Sequence, residues 1–147
     1  MTLDELIAAL EDAAGPSRKL DAEIARSLGW EPGVYGEQDW WRPPNGDWGG
    51  LPRWTKSFDI ALTLMDGLPD AELWSWRIAH PGYDDGRLKA PYRADLHSPT
   101  SSGGGPSWTG FGANPAIAFD IAALNAKRQM RPWSTLAGST PATTFSL

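Results

Sequence analysis

The spacing of apolar and polar positions divides the chain into helical ends and a strand-forming middle. Leu3, Leu6, Ile7 and Leu10 recur at helical spacing behind Thr2 and Glu5, the two halves of a capping box. Gly15-Pro16 stops this helix, Ser17 caps the next, and Leu20, Ile24 and Leu28 form a stripe at intervals of four before Gly29 ends it. A third helix starts at Ser57 or Thr55, shows Phe58, Ala61, Leu62 and Met65 on one face, and stops at Gly67 and Pro69. Asn114-Pro115 is a cap and first-position pair for the strongest helix, which begins AIAFDIAALNAKRQ. Between the third helix and the last the period is two. AELWSWRIA sets Trp74, Trp76 and Ile78 against Ser75 and Arg77, with the Trp side expected in the core; LKAPYRADL sets Leu88, Ala90, Tyr92, Ala94 and Leu96 against Lys89, Arg93 and Asp95. The turn-rich HPGYDDG joins them as an antiparallel hairpin, and Pro91 suits an edge or a bulge. The predicted fold is α+β, helices packed on a short antiparallel sheet in an α/β/α sandwich-like arrangement. It forms one domain over residues 1–131, with a Thr-, Ser- and Ala-rich tail over 132–147.

Two stretches carry no period. Residues 31–54 hold four Trp, four Pro and five Gly, and a structureless loop of that length inside a domain is uncommon unless it is packed or functional. Residues 97–112 read as a second, Gly- and Ser-rich loop containing Trp108. Tryptophan is the unusual component, nine in 147 residues. With 41% hydrophobic and 21% charged residues the rest is ordinary for a globular chain. There is no cysteine, which removes disulfides, thiolate metal sites and cysteine nucleophiles together.

Charge is unevenly placed. Residues 1–52 hold ten Asp/Glu against four Lys/Arg, residues 53–147 eight against nine, and the whole chain carries −5. That balance argues against duplex DNA as a partner, since counterion release needs a basic surface. No apolar run approaches the roughly 18–20 residues of a membrane span, and the acidic start at Asp4 and Glu5 does not read as a signal peptide. The expected location is cytoplasmic, with no membrane partner.

Three blocks carry a family likeness. They are Leu20-Asp21-Ala22-Glu23-Ile24-Ala25 leading to Leu28-Gly29-Trp30, then Trp54-Thr55-Lys56-Ser57-Phe58-Asp59-Ile60-Ala61, then Asn114-Pro115-Ala116-Ile117-Ala118-Phe119 running to Ala122-Ala123-Leu124. In order and spacing, over about residues 17–128, they resemble the small phage and prophage proteins described as the phage ABA sandwich domain. The resemblance implies helices flanking a short antiparallel sheet and a phage setting, with the host cell cytoplasm as location. That family carries no defined activity, so the resemblance implies no catalytic residues. The first helix, the 31–54 stretch and the tail after 129 depart from the family pattern.

No catalytic constellation is legible. His80 and His97 lack the spacing of a metal pair, and no metal or cofactor is expected. Asp84-Asp85-Gly86 lacks the rest of a calcium loop and reads as a turn. Ser98, Ser101, Ser102 and Ser107 near His97 have no nucleophile-elbow pattern, and Gly103-Gly104-Gly105 lacks the GK[ST] of a phosphate loop. Lys127, Arg128 and Arg131 read as cations at a helix C-terminus. The first functional expectation is therefore a non-enzymatic phage accessory protein that sequesters a small nucleotide-type ligand, a signal of host defence. Its site is expected where Trp108 stacks on a base, Arg77 and Arg93 meet phosphate and Asn114 holds a helix N-terminus open; an internal salt bridge from the arginines to Asp59 or Asp95 is the competing expectation. The alternative is an inhibitor that docks on a host protein through its acidic half and Trp40, Trp41 and Trp48. Homo-oligomerisation is left open.

Overall fold

The caps read from the sequence set the helix boundaries. In the computed structural model, which describes residues 1–33, 40–99 and 106–139 and side chains as far as residue 130, α1 spans Leu3–Asp12 and opens with the expected capping box. The Glu5 amide donates to Thr2 Oγ1 at 3.1 Å and the Thr2 amide to Glu5 Oε1 at 2.7 Å. Ser17 caps α2, Arg18–Ser27. That helix closes in a Schellman motif: Gly29, at φ +86°, donates to the Arg26 carbonyl and Trp30 reaches back to Ala25. Ser57 caps the short α3, Phe58–Leu62, which tightens into 3₁₀ turns at Thr63–Gly67 and Ala71–Leu73. The last helix, α4, runs Pro115–Ser139 and reaches into the stretch read as a tail.

Among the described residues, eight strands lie between these helices. The 31–54 stretch is ordered where it is described: β1 (Glu31–Pro32), β2 (Trp40–Arg42) and β3 (Gly49–Gly50) form a small antiparallel sheet in the order β1-β2-β3. The central sheet is β4 (Ser75–Ala79), β7 (Tyr92–His97) and β8 (Ser107–Gly112), antiparallel with β7 in the middle. The predicted hairpin pairing between 75–79 and 92–97 is present. Its connection carries a second hairpin, β5 (Gly82–Asp84) with β6 (Arg87–Ala90), turned at Asp85-Gly86 with both φ values positive. Pro91 separates β6 from β7, so the alternation over 88–96 belongs to two strands.

The helices collect on one face of the central sheet. Trp74, Trp76, Ile78, Ala94, Leu96 and Trp108 point to that side, where Phe119 of α4 and Phe58 of α3 meet them. Strand β8 faces α4 with glycine: a Cβ on Gly110 would collide with the Ala118 carbonyl, and one on Gly112 would lie 2.7 Å from the Ala118 amide. The helix answers with Ala118 and Ala122, so backbone approaches backbone. This overturns the reading of 97–112 as a loop. The segment 107–112 is an edge strand whose inward positions are glycine because α4 lies against it; residues 100–105, with the triple glycine, fall outside the described residues. None of the described helices is long and apolar enough to cross a membrane.

A buried polar knot ties the helical layer. Asp21 Oδ1 accepts from the Thr55 amide at 2.8 Å and hydroxyl at 2.9 Å, while Arg18 donates to Oδ2 at 2.8 Å. Thr55 Oγ1 accepts from the Ser17 amide at 2.8 Å, and Asn114 Nδ2 donates to the Thr55 carbonyl at 3.0 Å.

Trp76 departs from its expected burial. It faces the helices but sits on edge strand β4, where it stays 43% exposed against Phe58 and Phe119. Trp108, at 8%, is core. Trp108→Ala therefore costs about 3–5 kcal/mol in urea melts, as truncation of buried aromatics does. Trp76→Ala costs less than half of that, and equal losses would contradict this assignment of edge and core.

Candidate functional site

The outward face of the central sheet is the one that the described helices leave open. The strand register arranges its side chains in three rows across β4, β7 and β8: Ser75–His97–Ser107, Arg77–Asp95–Thr109, and Ala79–Arg93–Phe111. Rows two residues apart on a strand are spaced roughly 7 Å and neighbours across strands roughly 5 Å, so the three make a platform the size of a mononucleotide.

Asp95 organises the middle of this platform. Arg93 Nε donates to both of its oxygens at 3.1 Å, Arg93 Nη2 donates at 3.1 Å and the Thr109 hydroxyl at 2.7 Å. Arg77 Nη2 stands 3.6 Å away, an ion pair without a hydrogen bond. Burial of Asp95 pushes its carboxyl upward; the bonds from Arg93 and Thr109 and the charges of Arg93 and Arg77 outweigh it, and the pKa lies below the ordinary carboxylate value. Arg93 is further fixed by the Tyr83 carbonyl, which accepts from Nη1 at 2.9 Å. Its guanidinium and the Lys89 ammonium both lie over the Phe111 ring, at 5.5 and 4.7 Å from the centroid. Arg77 is 74% exposed.

The structure therefore brings Arg77 and Arg93 together and separates them from the other two expected ligand residues. The internal salt bridge to Asp95 is present. Trp108 cannot stack on a ligand at this face: it points into the core, stacked on Trp74 with centroids 5.5 Å apart, and its indole N–H donates to Gln129 Oε1 at 2.9 Å. Asn114 is committed as the cap of α4, its Oδ1 accepting from the Ile117 amide at 2.8 Å and its amide bonded to Thr55. Thr109 and Phe111 were missed because the alternation of SWTGFG pairs two inward glycines with one Trp, and so does not read as an apolar face. His97, weighed only as a metal ligand, takes its place on the platform by continuing the alternation of β7. Lys127 and Arg128 lie within α4, not at its end; Arg128 pairs with Asp4 and Asn125.

The second expected cluster is divided too. Trp41 is buried, with the Arg26 guanidinium 5.2 Å from its ring. Trp40 and Trp48, 48% and 39% exposed, share the other face of the small sheet with Arg42, which lies 5.2 Å over Trp48 and pairs with Glu31.

One buried group has no sequence signal beyond its presence in an apolar helix. Asp120 is fully buried in α4, and neither carboxyl oxygen has a hydrogen-bond partner among the described residues. Burial, and then the Asp21 charge, raise its pKa well above the ordinary value. Among the described residues no group of three His, Asp or Glu is placed to hold a metal. No family model matches the chain, and no curated protein or solved structure matches it.

Asp95 and Asp120 have opposite pH signatures. A carboxyl depressed in the fold contributes stability above its unfolded value, near 3.9, that is lost as pH falls through the folded value; a raised one costs stability as pH rises past that same point. Asp95→Asn is expected to lower stability at pH 7, with the difference closing toward pH 3. Asp120→Asn is expected to raise stability at pH 7, and its gain also vanishes toward pH 3. Thermal melts of both variants and the parent over that range check the signs.

Proposed function

We propose that this protein is a non-catalytic binding module that holds a small nucleotide-type anion on the open face of its central sheet. The observation that carries this reading is the charge count at the platform centre: one buried carboxylate, Asp95, serves two guanidiniums. Arg93 takes its hydrogen bonds, and Arg77 is left largely in solvent with only a 3.6 Å ion pair. A phosphate can take Arg77 without breaking the Arg93–Asp95 pair. Lys89 adds a second cation at the Phe111 end, and Ser75, His97 and Ser107 offer hydroxyl and imidazole groups to a ribose or phosphate. The likeness to the phage ABA sandwich domain supports a setting for this activity: a phage accessory protein in the host cytoplasm that sequesters a nucleotide signal of anti-phage defence. The ligand residues are then Arg77, Lys89 and the outward hydroxyls, in place of Trp108 and Asn114.

A second reading rests on Trp40 and Trp48. Two half-exposed indoles on one face of the small sheet, beside the acidic N-terminal half, suit the anchoring of a host protein.

A thermal-shift series with cyclic di- and trinucleotides and cyclic ADP-ribose isomers separates the two. The cognate ligand at 100 times its Kd adds about 2.7 kcal/mol to the wild type. Arg77→Ala is expected to abolish most of that gain, whereas Trp40→Ala leaves it intact. Absence of any nucleotide shift, or a shift indifferent to Arg77→Ala, overturns the sheet-face reading in favour of the Trp-anchored one.

A further inference from the structure

A cleft on the helical side of the molecule, lined by no residue of the central sheet, holds the cation Lys127, whose ammonium makes no hydrogen bond among the described residues. It has a volume of about 550 Å³ and runs between the end of α2, the 43–46 loop, the 3₁₀ turn Thr63–Gly67 and α4. That size lies within the range of small-molecule sites, roughly 300–1,000 Å³. Leu28, Pro43, Pro44 and Leu64 give it apolar walls. The Lys127 ammonium lies against Gly67, so closely that a Cβ at that position would displace it. Among the described residues it makes no hydrogen bond and no ion pair within 4 Å, and the opposing charge that acts on it is Asp66. Burial lowers the Lys127 pKa and Asp66 works against that shift.

We propose that this cleft is a binding site for a small monocarboxylate with an apolar body, the carboxylate on Lys127 and the body along the proline and leucine walls. The ammonium supplies three donors that make no hydrogen bond among the described residues, and a carboxylate satisfies them with charge-assisted bonds. Asp66 decides the charge of the ligand. An exposed carboxylate at the rim repels a second negative charge, so a monoanion is accepted and a phosphate dianion is disfavoured. This site does not depend on the sheet-face reading, because no residue of that platform lines it.

The test uses phenylacetate, hexanoate and inorganic phosphate as probes, with calorimetry for affinity and mass spectrometry of reductive methylation to follow Lys127 itself. The wild type is expected to bind the two carboxylates saturably, to bind phosphate more weakly, and to have Lys127 protected from methylation by the carboxylates. Lys127→Met keeps the apolar stem and removes the charge, and is expected to weaken binding by at least about tenfold. Asn45→Trp, in the loop at the mouth, blocks the cleft without touching the core and is expected to weaken binding comparably. No saturable binding to the wild type, phosphate binding as tight as phenylacetate, or affinity unchanged in both variants overturns the proposal.

Discussion

One buried carboxylate fixes the relative position of most of this chain. Asp21 has almost no contact with solvent, and its oxygens gather the Thr55 amide, the Thr55 hydroxyl and the Arg18 guanidinium. Arg18 in turn reaches the Leu51 carbonyl at 2.9 Å. Thr55 passes the connection on through its carbonyl to Asn114, the cap of α4. Three segments far apart in sequence are thereby locked: the start of α2, the turn after the small sheet, and the N-terminus of the longest helix. Removing one member of such a network leaves a buried charge or donor exposed to nothing, which costs about 3–5 kcal/mol for a paired charge. Asp120, buried with no hydrogen-bond partner among the described residues, has its pKa raised first by that burial and then by the charge of this same carboxylate.

Fixing the start of α4 also fixes the sheet. Only Ala113 and Asn114 separate β8 from the helix, so the chain reverses at once and lays α4 back over the strand it has just left. The approach is as close as backbone allows, with Gly110 and Gly112 against Ala118. A face packed this tightly has no room for a ligand, and the large side chains move to its far end, where Trp74 and Trp108 stack. The outward sheet face and the cleft beside Lys127 both lie away from this close contact.

Local signals in the sequence were sufficient for the helices and the first hairpin. Thr2 with Glu5, Ser17, Gly29, Ser57 and Asn114 each do in the structure what the residue type suggested, because caps act over three or four positions and need no tertiary information. Strand β8 was illegible for the opposite reason. Its inward glycines are explained only by the helix lying on them, and glycine among serines otherwise reads as loop. The same gap hid the fate of Trp108. In the small sheet, Trp40, Trp41 and Trp48 look alike in sequence, and only the pairing of Trp41 with Gly49 shows which indole turns inward. Asp21 and Asp120 sit in apolar helical patterns where a lone carboxylate gives no hint of its partner or of having none.

The two arginines of the sheet face differ in what they can do, although the alternation of their strands treats them alike. Arg93 is the structural one: three contacts to Asp95 and one to the Tyr83 carbonyl tie the β5–β6 hairpin to the sheet and satisfy a carboxylate that has lost its water. A ligand that drew Arg93 away would have to compensate for stripping that buried charge. Arg77 contributes only a long, solvent-screened attraction to the same carboxylate, of the kind worth less than about 1 kcal/mol. It can exchange Asp95 for an incoming anion at little cost while Arg93 keeps the platform intact. Occupying one carboxylate with one firmly held guanidinium is what leaves the neighbouring one with a single long ion pair and most of its side chain in solvent.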